Sequence, residues 1–456
     1  MLMSNRERGE SYLSRSQARF TLSLAYTLLC CLSLASVCSS QTKTQTTHTP
    51  NIATDARYAE LRTNGFNLLY NLDYDAARTH FKELQRLYPE HPAGAQFLAA
   101  CLVVETLNRS RRLQTSLYND DDFYTGEEDK PDPAIVREFR ALTKQAETLA
   151  AARVKANPKD AEALYFLGAA KALRAAFGVG VERRFTAALG DGRGAVEAHR
   201  DVVKLDPTFT DAELTIGMYD YVIGDLPLFL KATASLVGFR GSKRRGLATL
   251  ERVVKEGKWA QDDARVLLVA LYRREGRPAD AVPLARELAA RYERNYVFKL
   301  ELADALIAQA AMEQLTNKID AATHEREAFA VFDKLLAATP NAKRGARTNM
   351  PLDLVRFKYA EGLSAGNRHD AAAAEFLRVA NLPDAEPDLA THTRLRSAQS
   401  LDLAGKRDEA ITLYKTVLAR PNAYGAHARA ERGLRQPFKD ERKRTPGERK
   451  ASGEEK

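Results

Sequence analysis

Cysteine is scarce in this chain. Its 456 residues include four cysteines, and three of them, Cys30, Cys31 and Cys38, lie in one apolar N-terminal stretch. A chain cleaved after Cys38 would keep only Cys101, and a single cysteine cannot form an internal disulfide. The stability of the mature chain must therefore come from packing.

The sequence also lacks the common motifs of catalysis and metal binding. Its eight histidines show no HExxH spacing and no paired cysteines accompany them, which argues against a zinc site. It has no G-x-S-x-G elbow, and its short glycine turns at 178–180 and 190–192 lack the lysine and the flanking strand of a phosphate-binding loop. We therefore expect no enzyme activity, no metal and no cofactor.

Alternating runs of β-branched residues, which are typical of half-buried strands, are few. The chain is instead rich in alanine, leucine, arginine and glutamate, which are strong helix formers. This composition predicts an all-α protein.

Charge of one sign does not dominate any long segment. Lys+Arg number 69 and Asp+Glu 60, for a formal net charge of +9, and the two signs are interleaved along the chain. This pattern is typical of a solvated helical surface. There is no arginine-rich arm and no ladder of aromatic and basic residues, so we expect no nucleic-acid partner.

The N-terminus has the three parts of an export signal. Four arginines precede residue 20, residues 20–37 are apolar, and small residues follow at 38–40. Cleavage near Ser40 is one outcome; a second is lipidation of Cys38, because LASVC resembles a bacterial lipobox, although Val37 fits that motif poorly. Retention as a membrane anchor is a third. All three predict an exported chain in the periplasm or cell envelope, with residues 1–40 as the signal.

Two further segments lack the pattern of a folded core. Residues 41–57 begin with a polar stretch rich in threonine and glutamine, which predicts a flexible linker. Residues 425–456 are dense in charge towards their end, and we expect them to form a disordered tail.

The segment 262–295 carries the clearest repeat signal. Gly276 interrupts two stretches with helical spacing of apolar residues, Leu268, Val269 and Tyr272 before it and Ala281, Ala285 and Leu288 after it. These stretches predict two antiparallel helices. One such hairpin cannot bury its apolar face alone, so it predicts neighbours of the same kind.

The pattern does recur. Segment 58–91 shows it with the series Leu61, Gly65, Leu68, Tyr74, Ala77, Phe81, Leu84 and Pro89, and this series resembles the tetratricopeptide repeat. Eight candidate hairpins follow the same register: 58–91, 92–160, 161–209, 210–261, 262–295, 296–342, 352–385 and 391–424. The resemblance implies a right-handed superhelical solenoid over 58–424. Four of the eight segments carry extra residues, either in longer helices or in inserted elements.

In tetratricopeptide proteins the inner face of each first helix usually contacts the ligand. Transferred to this chain, the resemblance implies an apolar partner-binding groove in the N-terminal half, with Phe66, Tyr70, Tyr165, Met218 and Tyr221. The C-terminal half of the same face is polar, with His392, Gln399 and Asp402. Either the groove accepts an apolar segment or a lipid, or inserted residues fill it.

The segment 222–246 is the most apolar part of the mature chain, and it ends in a glycine-rich turn with Arg240, Lys243, Arg244 and Arg245. Four cations beside glycine amides predict contact with an anion or a lipid head group. The alternative is a helix that packs inside the solenoid and leaves through a solvated turn.

Together these features predict a non-catalytic scaffold or adaptor of the cell envelope that binds a protein partner. The alternative is a periplasmic component that accompanies a transporter and binds an apolar ligand or lipid in a cavity lined by Tyr165, Met218 and Tyr221.

Overall fold

A computed structural model describes residues 55–115, 130–226, 231, 240–314, 316–338 and 350–439, with the backbone alone at 185 and 186. These residues form seventeen α-helices, one short 3-10 turn at Thr210–Ala212 and no strand. The all-α prediction is therefore confirmed. In chain order the helices are α1 (Ala56–Tyr70), α2 (Tyr74–Leu87), α3 (Ala93–Arg109), α4 (Pro133–Ala156), α5 (Ala161–Gly180), α6 (Phe185–Leu205), α7 (Glu213–Asp225), α8 (Lys243–Glu256), α9 (Gln261–Arg274), α10 (Pro278–Arg291), α11 (Tyr296–Glu313), α12 (Lys318–Ala338), α13 (Leu352–Ala365), α14 (His369–Ala380), α15 (Pro387–Leu403), α16 (Arg407–Leu418) and α17 (Ala426–Arg435).

The helices form two compact units. Unit 1 comprises residues up to Glu275 together with Glu287–Asn295, and it contains α1–α9 and the end of α10. Unit 2 comprises Gly276–Arg286 and the chain from Tyr296 onward, and it contains the start of α10 and α11–α17. Within each unit consecutive helices pack in pairs, as a helical-hairpin solenoid of the tetratricopeptide type requires.

The small residues that the repeat pattern places in first helices allow the close crossing expected of them. A Cβ atom on Gly65 in α1 would lie 2.3 Å from the ring of Phe81 in α2. A Cβ atom on Gly168 in α5 would lie 2.4 Å from the ring of His199 in α6. Helices α1 and α5 thus touch their partner helices at positions where only a hydrogen fits.

First and second helices differ in how much of their surface is buried. In α3 and α5 nearly every residue is buried, whereas α2 buries only the stripe Tyr74, Ala77, Phe81 and Leu84. A helix that is buried all round lies inside a structure, and an amphipathic one covers it. Helices α3 and α5 therefore lie in the interior of unit 1.

The extra residues of two segments lie in longer helices. Helices α5 and α6 contain 20 and 21 residues, and α11 and α12 contain 18 and 21. The connection between α5 and α6 is only 181–184. In the segments 92–160 and 210–261 most of the extra residues, at 116–129, 227–230 and 232–239, lie outside the described residues.

The prediction of a disordered tail from residue 425 is wrong for 426–435, which form α17. This helix packs on α16 so closely that a Cβ atom on Gly433 would lie 2.3 Å from the ring of Tyr414. Its buried residues are Ala426, Ala430 and Gly433, and none of them is large. The apolar pattern of α17 was missed for that reason.

The predicted signal, with the lipidation candidate Cys38, and linker residues 41–54 lie outside the described residues. The flexible-linker prediction is wrong for its last residues, because Asp55 caps α1 and Ala56 and Arg57 form its first turn. Where the structure does describe the chain, no helix has the length and apolar character needed to cross a membrane.

Candidate functional site

Four of the five predicted groove residues are buried inside unit 1. Phe66 is 6% exposed, and its ring lies 4.8 Å from the rings of both Phe81 and Phe97. The ring of Tyr165 stacks between His199 and Phe209, at 4.9 and 5.0 Å. These side chains pack against protein atoms, so partner binding through them stays a prediction.

The other two buried groove residues, Met218 and Tyr221, lie in α7. Met218 is fully buried, and Tyr221 donates a hydrogen bond from its hydroxyl to Glu275 Oε1 at 2.6 Å. The face of α7 that was predicted to line a cavity is thus occupied at Tyr221 by the residue that follows α9.

The first hairpin, in segment 58–91, contacts the fifth hairpin, in segment 262–295. At the end of α1, the Tyr70 hydroxyl donates to Asp263 in α9, and the Tyr70 carbonyl accepts from Asn295 Nδ2 at 2.7 Å. About two turns earlier, the Arg62 guanidinium lies 4.4 Å from the centre of the Trp259 ring. Tyr70, one of the predicted groove residues, therefore contacts the chain's own α9.

Asp263 is the most perturbed carboxyl group at this contact. Burial raises its pKa well above the usual value, while the hydrogen bond from Tyr70 acts in the opposite direction and does not offset it. The neighbouring Asp262 has cationic partners, because it accepts from Arg265 at 2.8 Å and Arg291 at 2.7 Å. The α1–α9 contact thus contains a carboxyl group that resists ionisation.

We expect Asp263→Asn to raise the thermal midpoint of unfolding of the chain at pH 7. A carboxyl group whose pKa is raised by folding stabilises the native state below its unfolded pKa, about 3.9, and loses that contribution as pH rises through the native pKa. Asparagine keeps an acceptor for Tyr70 and does not ionise. Thermal melts at pH 7 and pH 3 test this prediction: the gain should be present at pH 7 and shrink at pH 3, and an equal gain at both would contradict it.

The four predicted anion-contacting cations have different environments. Lys243 Nζ lies 2.9 Å from Asp225 and 2.7 Å from Glu275, and Arg245 Nη2 donates to Asp220 at 2.7 Å. These two cations are paired with carboxylates of their own unit. Arg240 and Arg244 are exposed, and anion binding by them stays a prediction.

The glycines around these cations pack against α7. A Cβ atom on Gly241 would lie 2.5 Å from Ile223, and one on Gly246 would lie 2.5 Å from the backbone nitrogen of Tyr221. Their lack of a side chain is therefore required by helix packing, which matches the packing alternative for this part of the segment.

Unit 2 contains a surface cleft of about 500 Å³ at its C-terminal end. Four cationic side chains line it, Arg396 from α15, Arg429 and Arg432 from α17, and Lys439 beyond α17. The remaining lining residues are polar, aromatic or small: Gln399, Tyr414, Gly433, Gln436, Pro437 and Phe438. None of these ten residues is acidic.

Asp402 in α15 joins the walls of the cleft. Its buried carboxylate accepts from the Tyr414 hydroxyl at 2.8 Å, from Arg407 Nη1 at 2.9 Å and from the Phe438 backbone N–H at 2.8 Å. Arg407 also donates to the Gly433 carbonyl near the end of α17, at 2.7 Å. One carboxylate thus fixes α16 and the segment after α17 relative to α15.

A second set of ionic contacts holds Arg396. Its guanidinium lies 3.7 Å from Glu361 Oε1 in α13 and donates to Gln399 Oε1 at 3.2 Å. Glu361 in turn lies 2.8 Å from the buried Lys358 Nζ, which also contacts Asp304 in α11 at 2.9 Å. Burial would raise the pKa of Glu361, but Lys358 and Arg396 outweigh it and hold this pKa at about 2.

Sequence reasoning missed three of the four cleft cations, because Arg429, Arg432 and Lys439 fall in the predicted tail. A usable signal was the i, i+4, i+7 spacing of Ala426, Ala430 and Gly433, which places the small residues of α17 on one face. Of the polar residues predicted for the inner face of α15, Gln399 lines the cleft, Asp402 supports it from a buried position and His392 is buried.

Two titratable residues outside the cleft are buried and have shifted pKa values. His199 is buried, its Nε2 lies 3.1 Å from the Tyr165 carbonyl, and burial lowers its pKa to about 4. Burial raises the pKa of the Cys101 thiol to about 12, so it is protonated at neutral pH. Among the described residues, no group of three or more His, Cys, Asp or Glu side chains is placed to hold a metal ion.

Comparison with known proteins adds little. No protein-family model matches the sequence, and no curated protein matches it. Among solved structures, human IFIT1 in a dimer with PPP-AAAA is 13% identical, with 84% of this chain and 81% of that chain covered at a TM-score of 0.41. The human IFIT1 dimer with m7Gppp-AAAA is also 13% identical, with 84% of this chain and 86% of that chain covered at a TM-score of 0.43. Yeast Tom70 is 13% identical over 87% of this chain and 99% of that chain, at a TM-score of 0.30.

TM-scores below 0.5 are too low to carry over a fold or a function. The description of this chain as a helical-hairpin solenoid therefore rests on its own helix pairs.

Proposed function

We propose that this protein is a non-catalytic scaffold of the cell envelope, which recruits a partner protein through the cleft at the C-terminal end of unit 2. The observation that carries the proposal is the cleft itself, a recess of about 500 Å³ with four cationic side chains and no acidic lining residue. A recess of this size is typical of ligand-binding sites. Cations beside aromatic rings are also typical of protein–protein contacts.

The walls of the cleft are fixed before any partner arrives. Asp402 holds Tyr414 and the backbone of Phe438, and Arg407 holds the end of α17. A preorganised surface loses little conformational entropy on binding, so more of the contact energy appears as affinity. The cleft is therefore a better candidate than the buried groove residues of unit 1.

Affinity purification of residues 41–456 from the native envelope tests the proposal. We expect a stoichiometric protein partner with the wild-type chain and its loss with the double variant Arg432→Glu/Lys439→Glu. A matched variant, Arg86→Glu/Arg109→Glu, makes the same charge change at exposed positions of unit 1 and should keep the partner. Partner loss with both variants, or with neither, would contradict the assignment to the cleft.

The same purification addresses the alternative function. Mass spectrometry of the extracted lipids should find none in stoichiometric amount. A lipid or small molecule that copurifies without protein would instead favour the transporter-associated role.

Export is part of the proposal and rests on the sequence of residues 1–40. We expect a processed chain in the envelope fraction, with a new N-terminus at Cys38 or near Ser40. Cell fractionation followed by mass spectrometry of the N-terminal peptide decides between the two, since Cys38→Ser removes lipidation and leaves simple cleavage intact. An unprocessed chain in the cytoplasm would contradict export.

A further inference from the structure

The lining of the cleft in unit 2 shows which ligand chemistry it favours. All four charged residues of the lining are cations. The carboxylate that joins the cleft walls, Asp402, already accepts hydrogen bonds from Tyr414, Arg407 and the Phe438 backbone. It is 0% exposed, so it does not compete with a ligand for the cations at the surface.

Two of these cations, Arg432 and Lys439, are accessible to an external anion. Within the residues that the structure describes, no ion pair joins Arg432 or Lys439 to a carboxylate, and both side chains are exposed. Arg396 is oriented from behind by Glu361 and Gln399, and its guanidinium also lies 5.7 Å from the centre of the Phe376 ring. An arginine held in this way can present its fork of donors with little loss of rotamer freedom.

Several features favour carboxylates on a short peptide over nucleic acid. Nucleic acid is usually bound by a stripe of cations that follows the phosphate backbone, together with exposed aromatic platforms for the bases. Here the cations surround one recess, and of its two aromatic rings Tyr414 is 1% exposed and bonded to Asp402. The half-buried ring of Phe438 suits an apolar side chain next to the acidic ones.

We infer that the cleft recognises a short acidic peptide segment, with at least two carboxylates for Arg396, Arg432 and Lys439 and an apolar side chain against Phe438. Arginine forms paired hydrogen bonds with a carboxylate, and such charge-assisted bonds are among the strongest in proteins. This inference rests on the proposed function, because it names the chemical class of the partner's docking segment.

Fluorescence anisotropy with residues 41–456 tests the inference. The probe is a labelled glutamate-rich hexapeptide that contains one phenylalanine, and the paired probe has glutamine in place of each glutamate. We expect the acidic probe to bind and the glutamine probe to bind at least about tenfold more weakly, as loss of a charge-assisted hydrogen bond predicts. Arg432→Gln should weaken the acidic probe by about tenfold, and Arg86→Gln in unit 1 should not.

Three results would overturn the inference. Equal binding of the two peptides would exclude recognition of carboxylates. An unchanged affinity with Arg432→Gln would place the binding outside the cleft. Tighter binding of a labelled oligoadenylate of equal charge, abolished by Arg432→Gln, would assign the cleft to nucleic acid.

The outcomes separate this inference from the proposed function. If the acidic probe fails but the Arg432→Glu/Lys439→Glu chain still loses its protein partner in the purification, the scaffold role stands and only the ligand class is wrong. If the cleft substitutions change neither the peptide affinity nor the recovery of the protein partner, both the inference and the proposed function are wrong.

Discussion

Replacing Lys358 with methionine is expected to lower the free energy of unfolding of unit 2 by roughly 3–5 kcal/mol, the range measured when one partner of a buried ion pair is removed. Lys358 is 1% exposed, and its Nζ lies 2.9 Å from Asp304 and 2.8 Å from Glu361. Methionine preserves the length and apolar character of the stem. The loss therefore reports on two carboxylates left without their shared cation.

Denaturant unfolding followed by circular dichroism measures this effect, and Lys415→Met is the control. Lys415 is exposed on α16, so its replacement should change stability by no more than about 0.5 kcal/mol. If the two variants lose the same amount, the ionic contacts between α11 and α13 do not stabilise unit 2.

The pH dependence gives an independent measure of the same contacts. A carboxylate whose pKa is lowered by folding stabilises the native state above its unfolded pKa, about 4.3 for Glu, and loses that contribution as pH falls through the native value. For Glu361 the native pKa is about 2, so the wild-type loss lies between about pH 4.5 and 2. Without Lys358 this pKa should rise towards its unfolded value, so the variant should lose less stability than the wild type as pH falls from about 4.5 to 2.

Replacing Gly246 with alanine is the second substitution for which we expect a large effect, a loss of about 3 kcal/mol in the stability of unit 1, at the upper end of the usual range for overpacking. The new Cβ would lie 2.5 Å from the Tyr221 backbone nitrogen and 2.6 Å from the Gly217 carbonyl oxygen. Both atoms belong to the backbone of α7, so no flexible side chain can move aside. Helices α7 and α8 must separate.

The matched control is Gly190→Ala in α6, where a new Cβ would meet nothing within 4 Å. Alanine in a helix interior is more favourable than glycine by about 0.5–1 kcal/mol, so this variant should be more stable than the wild type. Thermal unfolding of both variants provides the comparison. A Gly246→Ala chain as stable as the wild type would show that α7 and α8 do not pack as closely as the structure indicates.

The helical hairpins were predictable because their signals are local. Gly65 and Gly168 lie one helix away from the residues they touch, and Gly276 and Gly405 end their helices with φ of +67° and +78°, as glycine readily does. Each signal lies within a single repeat. A pattern of this kind can be read without knowledge of how the repeats are arranged in space.

The contact between α1 and α9 could not be predicted in the same way. Tyr70 and Asp263 are 193 residues apart, and their meeting depends on the small rotations between successive hairpins, which no local pattern records. The cleft of unit 2 combines Arg396 with Arg432 and Lys439 from a segment without large buried side chains. Both features arise from how helices pack across repeats, which a pattern within one repeat does not record.

The most direct test of the central claim is photo-crosslinking from the cleft in living cells. A photoreactive phenylalanine analogue in place of the exposed Gln436 should give one protein adduct, mapped to an acidic segment of the partner, and the same analogue at the exposed Lys204 in α6 should give none. Adducts at 204 without any at 436 would show that the partner binds unit 1 and would contradict the account.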